Sequence, residues 1–373
     1  MTISPRRLPI VCAVLVLGIS LCLAGCEPPV PRERDLLLTT ATTGGTFYPV
    51  GVALATLATR ELADSDSILV SAVTSSGSAE NLRMLETGEG ELAIVQALFA
   101  SMAWQGSDRY QGRQVENLRS LAMLWDNVEQ IVVLRRHAPT GTVADLAGWD
   151  GQGFSLGPRW SGAEVSGRTI LETLDIDPDQ RFRLAHLGYG PSADALQNRR
   201  IAGMFLAAGI PTAAVTQAFA ALGPGQVVLL EVPDVELELL RASHPVWRRF
   251  VIPADTYPGQ TEPVATIAQP NVLVAAAEVG DDVIHRLLET IWANLDFLQR
   301  QHAATRAMHL DRALEGLPAP LHPGAVRFYR EAGLTIPDKL LPPGFEGFER
   351  PRPAPPPPDP SSQGAARPGR TGP

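Results

Sequence analysis

Leu36-Leu37-Leu38-Thr39-Thr40-Ala41-Thr42-Thr43-Gly44-Gly45-Thr46-Phe47-Tyr48-Pro49-Val50-Gly51 decides how the rest of the chain is read. Residues 36–40 have the length and apolar character of a short buried strand. Residues 42–46 are hydroxyls around two glycines, a loop rather than either regular structure. From Pro49 to Leu62 the apolar residues return at helical spacing. Pro49 then lies near the first turn, where a missing N–H is tolerated. Strand, loop and helix follow one another within 27 residues, 36–62.

The unit recurs downstream. Residues 68–73 predict a strand, Ser75-Ser76-Gly77 a turn, and Ser78 the cap of a helix ending at Gly88. Residues 92–95 predict a third strand, and repetition of this kind is the signature of a βαβ sheet. Strands are expected at 121–124 and 131–134, a helical turn at 143–148, and a strand at 153–157. Ser161-Gly162-Ala163-Glu164 matches a capping box, with a helix to Leu174. Segments 182–187, 193–198, 203–207 and 227–230 continue the alternation, which predicts a second α/β lobe. Residues 265–277 return to strand character. Residues 281–300 predict one long amphipathic helix, with Ile284, Leu287, Leu288, Ile291, Leu295 and Leu298 on one face. The expected division is lobe 1 at 36–140 plus 260–341 and lobe 2 at 141–259. Four consecutive prolines at 355–358, then Ser, Gly and Arg, predict a disordered Pro-rich tail over 342–373. No repeat of solenoid length is evident.

Composition narrows the function. The 373 residues carry a formal net charge of −9, with 45% hydrophobic residues. That balance, without a basic cluster past the N-terminus, argues against a nucleic-acid partner. Arg6 and Arg7 precede an apolar run to Leu23 and then Ala24-Gly25-Cys26. The run is short against the roughly 20 residues a membrane span needs, and its flanks are those of a signal peptide. The reading is a lipoprotein leader at 1–25, lipid on Cys26, and a tether at 26–35. A single transmembrane anchor is the alternative. Cys12 and Cys22 fall in the leader, so beyond Cys26 there is no thiol for a disulfide, a metal or a nucleophile.

Three Gly/Ser/Thr loops each precede a helix, at 42–48, 75–81 and 157–164. Helix N-termini expose unpaired N–H groups and partial positive charge. Several aimed into one crevice make a carboxylate or phosphate site, and ligands of open α/β sheets bind beyond the carboxyl ends of strands. Taken singly, each loop is an ordinary capped helix start; the three together point to a binding site. Arg159 could pair with a carboxylate and Trp160 could close over an apolar stem, or both could be surface rim. Enzyme motifs fare worse. Gly153-Phe154-Ser155-Leu156-Gly157 fits G-x-S-x-G, but a turn before it predicts Ser155 in mid-strand rather than on a nucleophile elbow. Gly88-Glu89-Gly90 stands in the wrong order for a dinucleotide fingerprint. His302 and His309 lack a third ligand, so no metal site is expected.

These motifs resemble the TAXI family, the extracytoplasmic solute receptors of TRAP transporters. Thr43-Gly44-Gly45-Thr46-Phe47-Tyr48-Pro49-Val50-Gly51 looks like its N-terminal motif, and Ser76-Gly77-Ser78-Ala79-Glu80-Asn81-Leu82 its second. Gln96 stands where the family has Gln after the third strand. Ser161-Gly162-Ala163-Glu164 is similar to its Ser-Gly-Thr-Glu loop, 207–211 to its Gly-x-Pro loop, and Leu321-His322-Pro323-Gly324-Ala325-Val326-Arg327-Phe328-Tyr329-Arg330-Glu331-Ala332-Gly333 to its C-terminal signature. Leu98, Ala202-Gly203, Ala163 and Trp160 depart from the family pattern.

The resemblance implies an α/β, two-lobed periplasmic-binding-protein fold of type II kind, with the ligand in the interlobe cleft. It implies TRAP membrane permease subunits as partners and a glutamate-like or dicarboxylate ligand, without a cofactor. In that cleft Thr43, Thr46, Ser75 and Ser78 are expected to meet a carboxylate with their amides and hydroxyls, and Ser161 to face them. Gly44, Gly45, Gly77, Asn81, Gln96, Arg159, Gly162 and Gly209 complete the expected ligand set, with Tyr48, Trp160 and Tyr257 as walls. A periplasmic, lipid-anchored monomer follows. A receptor feeding a sensor kinase, or an enzyme on the same scaffold, are the alternatives.

Overall fold

The computed structural model describes residues 34–345. The leader, Cys26, most of the tether and all but the first four residues of the Pro-rich tail lie outside the described residues. Strand β1 (Arg34–Thr39) leads into helix α1 (Phe47–Asp66), β2 (Ile68–Val73), α2 (Ser78–Thr87), β3 (Leu92–Gln96) and α3 (Ala97–Gln105). The βαβ reading of this segment is correct: β1 lies between β2 and β3 and is parallel to both. Helix α3 has no counterpart among the expected elements. It is apolar almost all round and buried at Ala97, Leu98, Phe99, Ala100, Met102 and Ala103, so no amphipathic period marks it.

Two predicted strands are one. Residues 121–124 and 131–134 belong to β4 (Leu118–Leu134), which runs unbroken through the polar Asp126 and Asn127. Beyond it come β5 (Gln152–Ser155), α4 (Gly162–Thr173), the short α5 (Pro178–Arg181) and β6 (Phe182–Ala185). Then follow α6 (Tyr189–Gln197), β7 (Gly203–Ala208), α7 (Ala213–Leu222), β8 (Val227–Leu229), α8 (Asp234–Ser243), β9 (Arg248–Ile252) and β10 (Val264–Ala276). The predicted helix 281–300 is broken at Asn294 into α9 (Asp281–Ala293) and α10 (Leu295–Gln301). Asn294 donates its side-chain amide to the Thr290 carbonyl at 2.9 Å, a local bond that competes with the helical ladder. Helix α11 (Pro323–Glu331) closes the described fold and packs on α9.

One sheet carries everything, in the order β2-β1-β3-β10-β4-β7-β5-β6, with β8 added to β4 and β9 to β10. Its two halves meet at β4 and β10, which are antiparallel to each other. The early part of β4 and the late part of β10 pair next to β3. The late part of β4 pairs with β7 and β8, and the early part of β10 with β9. Two long strands thus pass between two lobes. Each lobe buries its own apolar interior. Leu38, Leu57, Leu82 and Ile94 lie inside the first, and Val132, Leu196, Phe219 and Tyr257 inside the second.

Candidate functional site

The three glycine-rich loops converge. A narrow cavity is lined by Thr42, Gly45, Thr46 and Phe47 from the first, Ser76, Gly77 and Ser78 from the second, and Pro158, Ser161, Gly162 and Ala163 from the third. Gln96 at the end of β3, Tyr189 at the start of α6 and Ala207 on β7 complete it. The strand that precedes each loop ends at this crevice, so helix starts from both lobes open into one space.

Two of those starts almost touch. A Cβ on Gly77 would lie 3.6 Å from the amide nitrogen of Gly162. Gly77 has φ +115°, a region L side chains rarely adopt. A Cβ on Gly162 would lie 2.6 Å from both Gln96 Oε1 and Ser78 Oγ. Glycine at both positions lets the first turns of α2 and α4 face each other at backbone distance. On α4 half of the capping box is present: Ser161 Oγ accepts from the Glu164 amide at 3.1 Å, whereas Glu164 Oε2 accepts from the amide of Trp160, one residue before the cap, at 2.7 Å. On α2 the sequence reading needs correction. Gly77, not Ser78, is the cap residue, and Ser78 Oγ instead accepts from the Gln96 amide at 3.1 Å. Ser78 therefore fixes β3 to α2.

Gln96 is 3% exposed. Its Oε1 has no hydrogen-bond partner, and a buried acceptor left unmade is costly. No Arg, Lys, Asp, Glu or His lines the cavity. Positive potential there comes from amides and helix ends. The enclosed space is only about 30 Å³, room for about two waters. Small-molecule pockets usually measure roughly 300–1,000 Å³, so the lobes must part to admit an organic ligand.

The remaining sequence candidates lie elsewhere. Thr46 Oγ1 donates across the lobes to the Gly209 carbonyl at 3.1 Å, so this pair bridges the cleft and Gly209 itself does not line it. Ser75 and Asn81 are structural: Ser75 Oγ lies 2.6 Å from Asn81 Oδ1, and Asn81 Nδ2 donates to the carbonyls of Thr40 and Ile94 at 2.6 and 2.8 Å. That ties β1 to β3 beneath the loop. Gly44 packs against Gly190, where its absent Cβ would meet the amide at 2.9 Å. Thr43 is exposed and Tyr48 half-buried, and neither lines the cavity.

Tyr257, expected as a cleft wall, is in the core of the second lobe. It stacks on Phe219, accepts from the Thr212 amide at 3.1 Å and donates to Gln130. Arg159 and Trp160 line a separate outer groove, where the Arg109 guanidinium lies 5.1 Å from the Trp160 ring centroid. Ser155 ends β5 instead of lying mid-strand; it is fully buried and bonded to Ser192 Oγ at 2.8 Å. His302 Nδ1 accepts from the Ala304 amide at 3.1 Å.

Sequence reasoning missed the floor. Glu129 on β4 is 1% exposed. Its Oε1 accepts from Ser166 Oγ at 2.8 Å and Gln269 Nε2 at 2.9 Å. Burial pushes its carboxyl up to about 8. Gln269 Oε1 in turn accepts from the Leu98 amide at 2.8 Å. A buried relay therefore runs from the start of α3 to α4 under the cleft. Tyr189 was also missed; its hydroxyl donates to the Ala207 carbonyl at 2.8 Å. Neither residue sits in a motif, and only strand register brings them here.

Two α/β lobes that share a sheet through two long strands, with glycine-rich helix starts facing across the gap, define a two-lobed periplasmic-binding fold. The chain belongs to the NMT1-like family, a family of that type, whose model matches residues 38–333. Among solved structures it is similar to the periplasmic binding protein BugD, at 14% identity over 80% of this chain and 95% of that one, TM-score 0.49. MatC from Rhodopseudomonas palustris with bound malate matches at 15% identity over 80% and 99%, TM-score 0.49. The periplasmic aliphatic sulphonate binding protein SsuA from Escherichia coli matches at 15% identity over 82% and 94%, TM-score 0.42.

Proposed function

We propose that this chain is an extracytoplasmic solute receptor that captures a small organic acid between its lobes and delivers it to a TRAP-type membrane transporter. Lobe 1 is 36–140 plus 260–341 and lobe 2 is 141–259. Lipid on Cys26 holds the receptor at a membrane, and ligand favours the closed arrangement through contacts made across the gap. The observation that carries this reading is the approach of the α2 and α4 starts, 3.6 Å from the Cβ position of Gly77 to the Gly162 amide, in a cavity without charged side chains. An anion placed there meets two sets of unpaired N–H groups and both helix dipoles. Family membership supports a binding role, and the TAXI-like motifs support the TRAP assignment.

Isothermal titration of the mature protein against a panel of amino acids, dicarboxylates and hydroxy acids tests the reading. One-to-one binding of at least one acid is expected. Folded protein that binds none of them would refute it. Reconstitution with a TRAP permease, scored by acid-dependent uptake, tests the partner.

A further inference from the structure

We propose that the outer groove beside the cleft is a second binding site, built for a small aromatic carboxylate that Arg109 and Arg159 hold between the lobes. The groove measures about 370 Å³, within the roughly 300–1,000 Å³ of small-molecule pockets. Arg83, Arg109, Arg113 and Arg159 line it together with the rings of Phe99, Tyr110 and Trp160. In the division proposed above, Arg109 belongs to lobe 1, and Arg159 with Trp160 to lobe 2. Ser76 is in the wall of both the groove and the cleft cavity, so the two spaces adjoin. The site goes beyond the acid-receptor reading of the cleft and does not require it.

The groove is positive in a chain whose net charge is −9, and its acids are already used. Glu80 accepts from the Ser76 amide and hydroxyl, both at 2.7 Å. Glu86 lies 3.3 Å from Arg113. Arg83 is paired bidentately, at 2.7 and 3.0 Å, with Glu89, which does not line the groove. That leaves Arg109 and Arg159. Among the described residues neither guanidinium forms an ion pair or a hydrogen bond. Arg109 lies over the Trp160 ring at 5.1 Å, a contact that uses none of its N–H donors. Two unspent planar forks beside one groove match the geometry of a carboxylate.

The rings supply the other half. Trp160 is 61% exposed at φ +64°, a left-handed conformation that is costly for a bulky side chain and clusters at functional sites. The turn is held from inside. The Trp160 amide donates to Glu164 Oε2 at 2.7 Å, and Glu164 Oε1 accepts from Arg168 Nε at 3.2 Å. Glu164 is buried, so a fixed carboxylate secures a strained turn that presents an indole to solvent. On the lobe 1 side Phe99 and Tyr110 meet edge to face at 5.7 Å, and Arg113 lies over Tyr110 at 5.7 Å. A flat ring covers the indole while its carboxylate takes the two guanidiniums. A bare anion leaves the indole wet. Because the guanidiniums come from opposite lobes, the bound carboxylate joins them, and the site is complete only in the closed arrangement.

Fluorine NMR of the detergent-solubilised mature protein, labelled with 5-fluorotryptophan, tests the site. Of the six tryptophans, Trp160 reports the groove. Trp125, whose ring meets Phe47 of the cavity wall edge-on at 6.0 Å, reports the cleft. The Trp160 line is assigned by Trp160→Phe. Benzoate is expected to shift that line saturably. Benzamide, its neutral isostere, and inorganic phosphate, a bare anion, should each bind at least about ten-fold more weakly, the scale of a charge-assisted hydrogen bond. Arg109→Gln and Arg159→Gln should each weaken benzoate by about five-fold or more at an unchanged urea midpoint, since both side chains are exposed. A Trp160 line that benzoate does not move would overturn the inference. So would benzamide or phosphate binding as tightly as benzoate, or a loss on only one of the two arginine substitutions. A Trp125 shift that survives both substitutions would place benzoate in the cleft, overturning the groove site and leaving the acid-receptor reading standing.

Discussion

Gly162 has no side chain because Gln96 and Ser78 occupy the space one would need. Gly162→Ala is predicted to hold the lobes apart by the width of a methyl group. Ligand affinity should fall about ten-fold or more, while the urea midpoint moves little, since the methyl clashes across the lobes and not within one. Calorimetry beside urea unfolding checks both halves. Glu129 makes a second prediction at this scale. In the unfolded chain a glutamate loses its proton near about 4.5, but in the native state Glu129 holds it until about 8. Between those values the native state binds more protons, so stability declines as pH rises through the window. The wild type should have a higher urea midpoint at pH 5 than at pH 8.5, and Glu129→Gln should lose that difference. An unchanged slope in the variant would assign it to other groups. Neither residue was equally legible. Gly162 stood in a motif whose spacing showed a helix start, whereas Glu129 is one polar letter in an apolar strand, and only its cross-strand neighbours give it meaning.

Helix starts were the most readable elements because caps are local. The capping box at Ser161 required only Glu164 three residues later. Ser161→Ala is predicted to cost about 1 kcal/mol of stability, measurable as a lower urea midpoint, and to weaken ligand binding by removing a hydroxyl from the cavity wall. Ser78 had the same local signal and a different use, because its hydroxyl is taken by the Gln96 amide from another element. Non-local contacts account for the other misreadings. Asp126 and Asn127 lie between two stretches read as separate strands, yet Asp126 is held by Arg248, and Asn127 bonds Asn271 across the sheet, so β4 continues. Helix α3 escaped notice because burial on nearly every side leaves no period to detect.

At the scale of the whole chain, alternation of strand and helix was enough for an α/β fold, and the order of the glycine-rich loops was enough to bring Gly45, Gly77 and Gly162 to one cavity. The passage of β4 and β10 between the lobes was not legible, since pairing partners more than a hundred residues apart leave no local trace. For the same reason Tyr257 was read as a wall and lies in a core. Closure itself has a separate handle in the outer groove. Trp160 is 61% exposed with φ +64°, and its ring carries the Arg109 guanidinium from the other lobe. An exposed cation–π contact is worth about 0.5–1 kcal/mol. Arg109→Ala is therefore predicted to weaken acid binding by about two- to five-fold while unfolding is unaffected. A fall in stability with unchanged affinity would make the contact a feature of one lobe's folding instead.

The most direct measurement is a crystal structure of the protein with its tightest-binding acid. The account predicts the carboxylate within hydrogen-bond reach of backbone amides from both the Gly77–Ser78 and the Gly162–Ala163 turns. A carboxylate seated on a side-chain guanidinium elsewhere, or on one lobe alone, would contradict it.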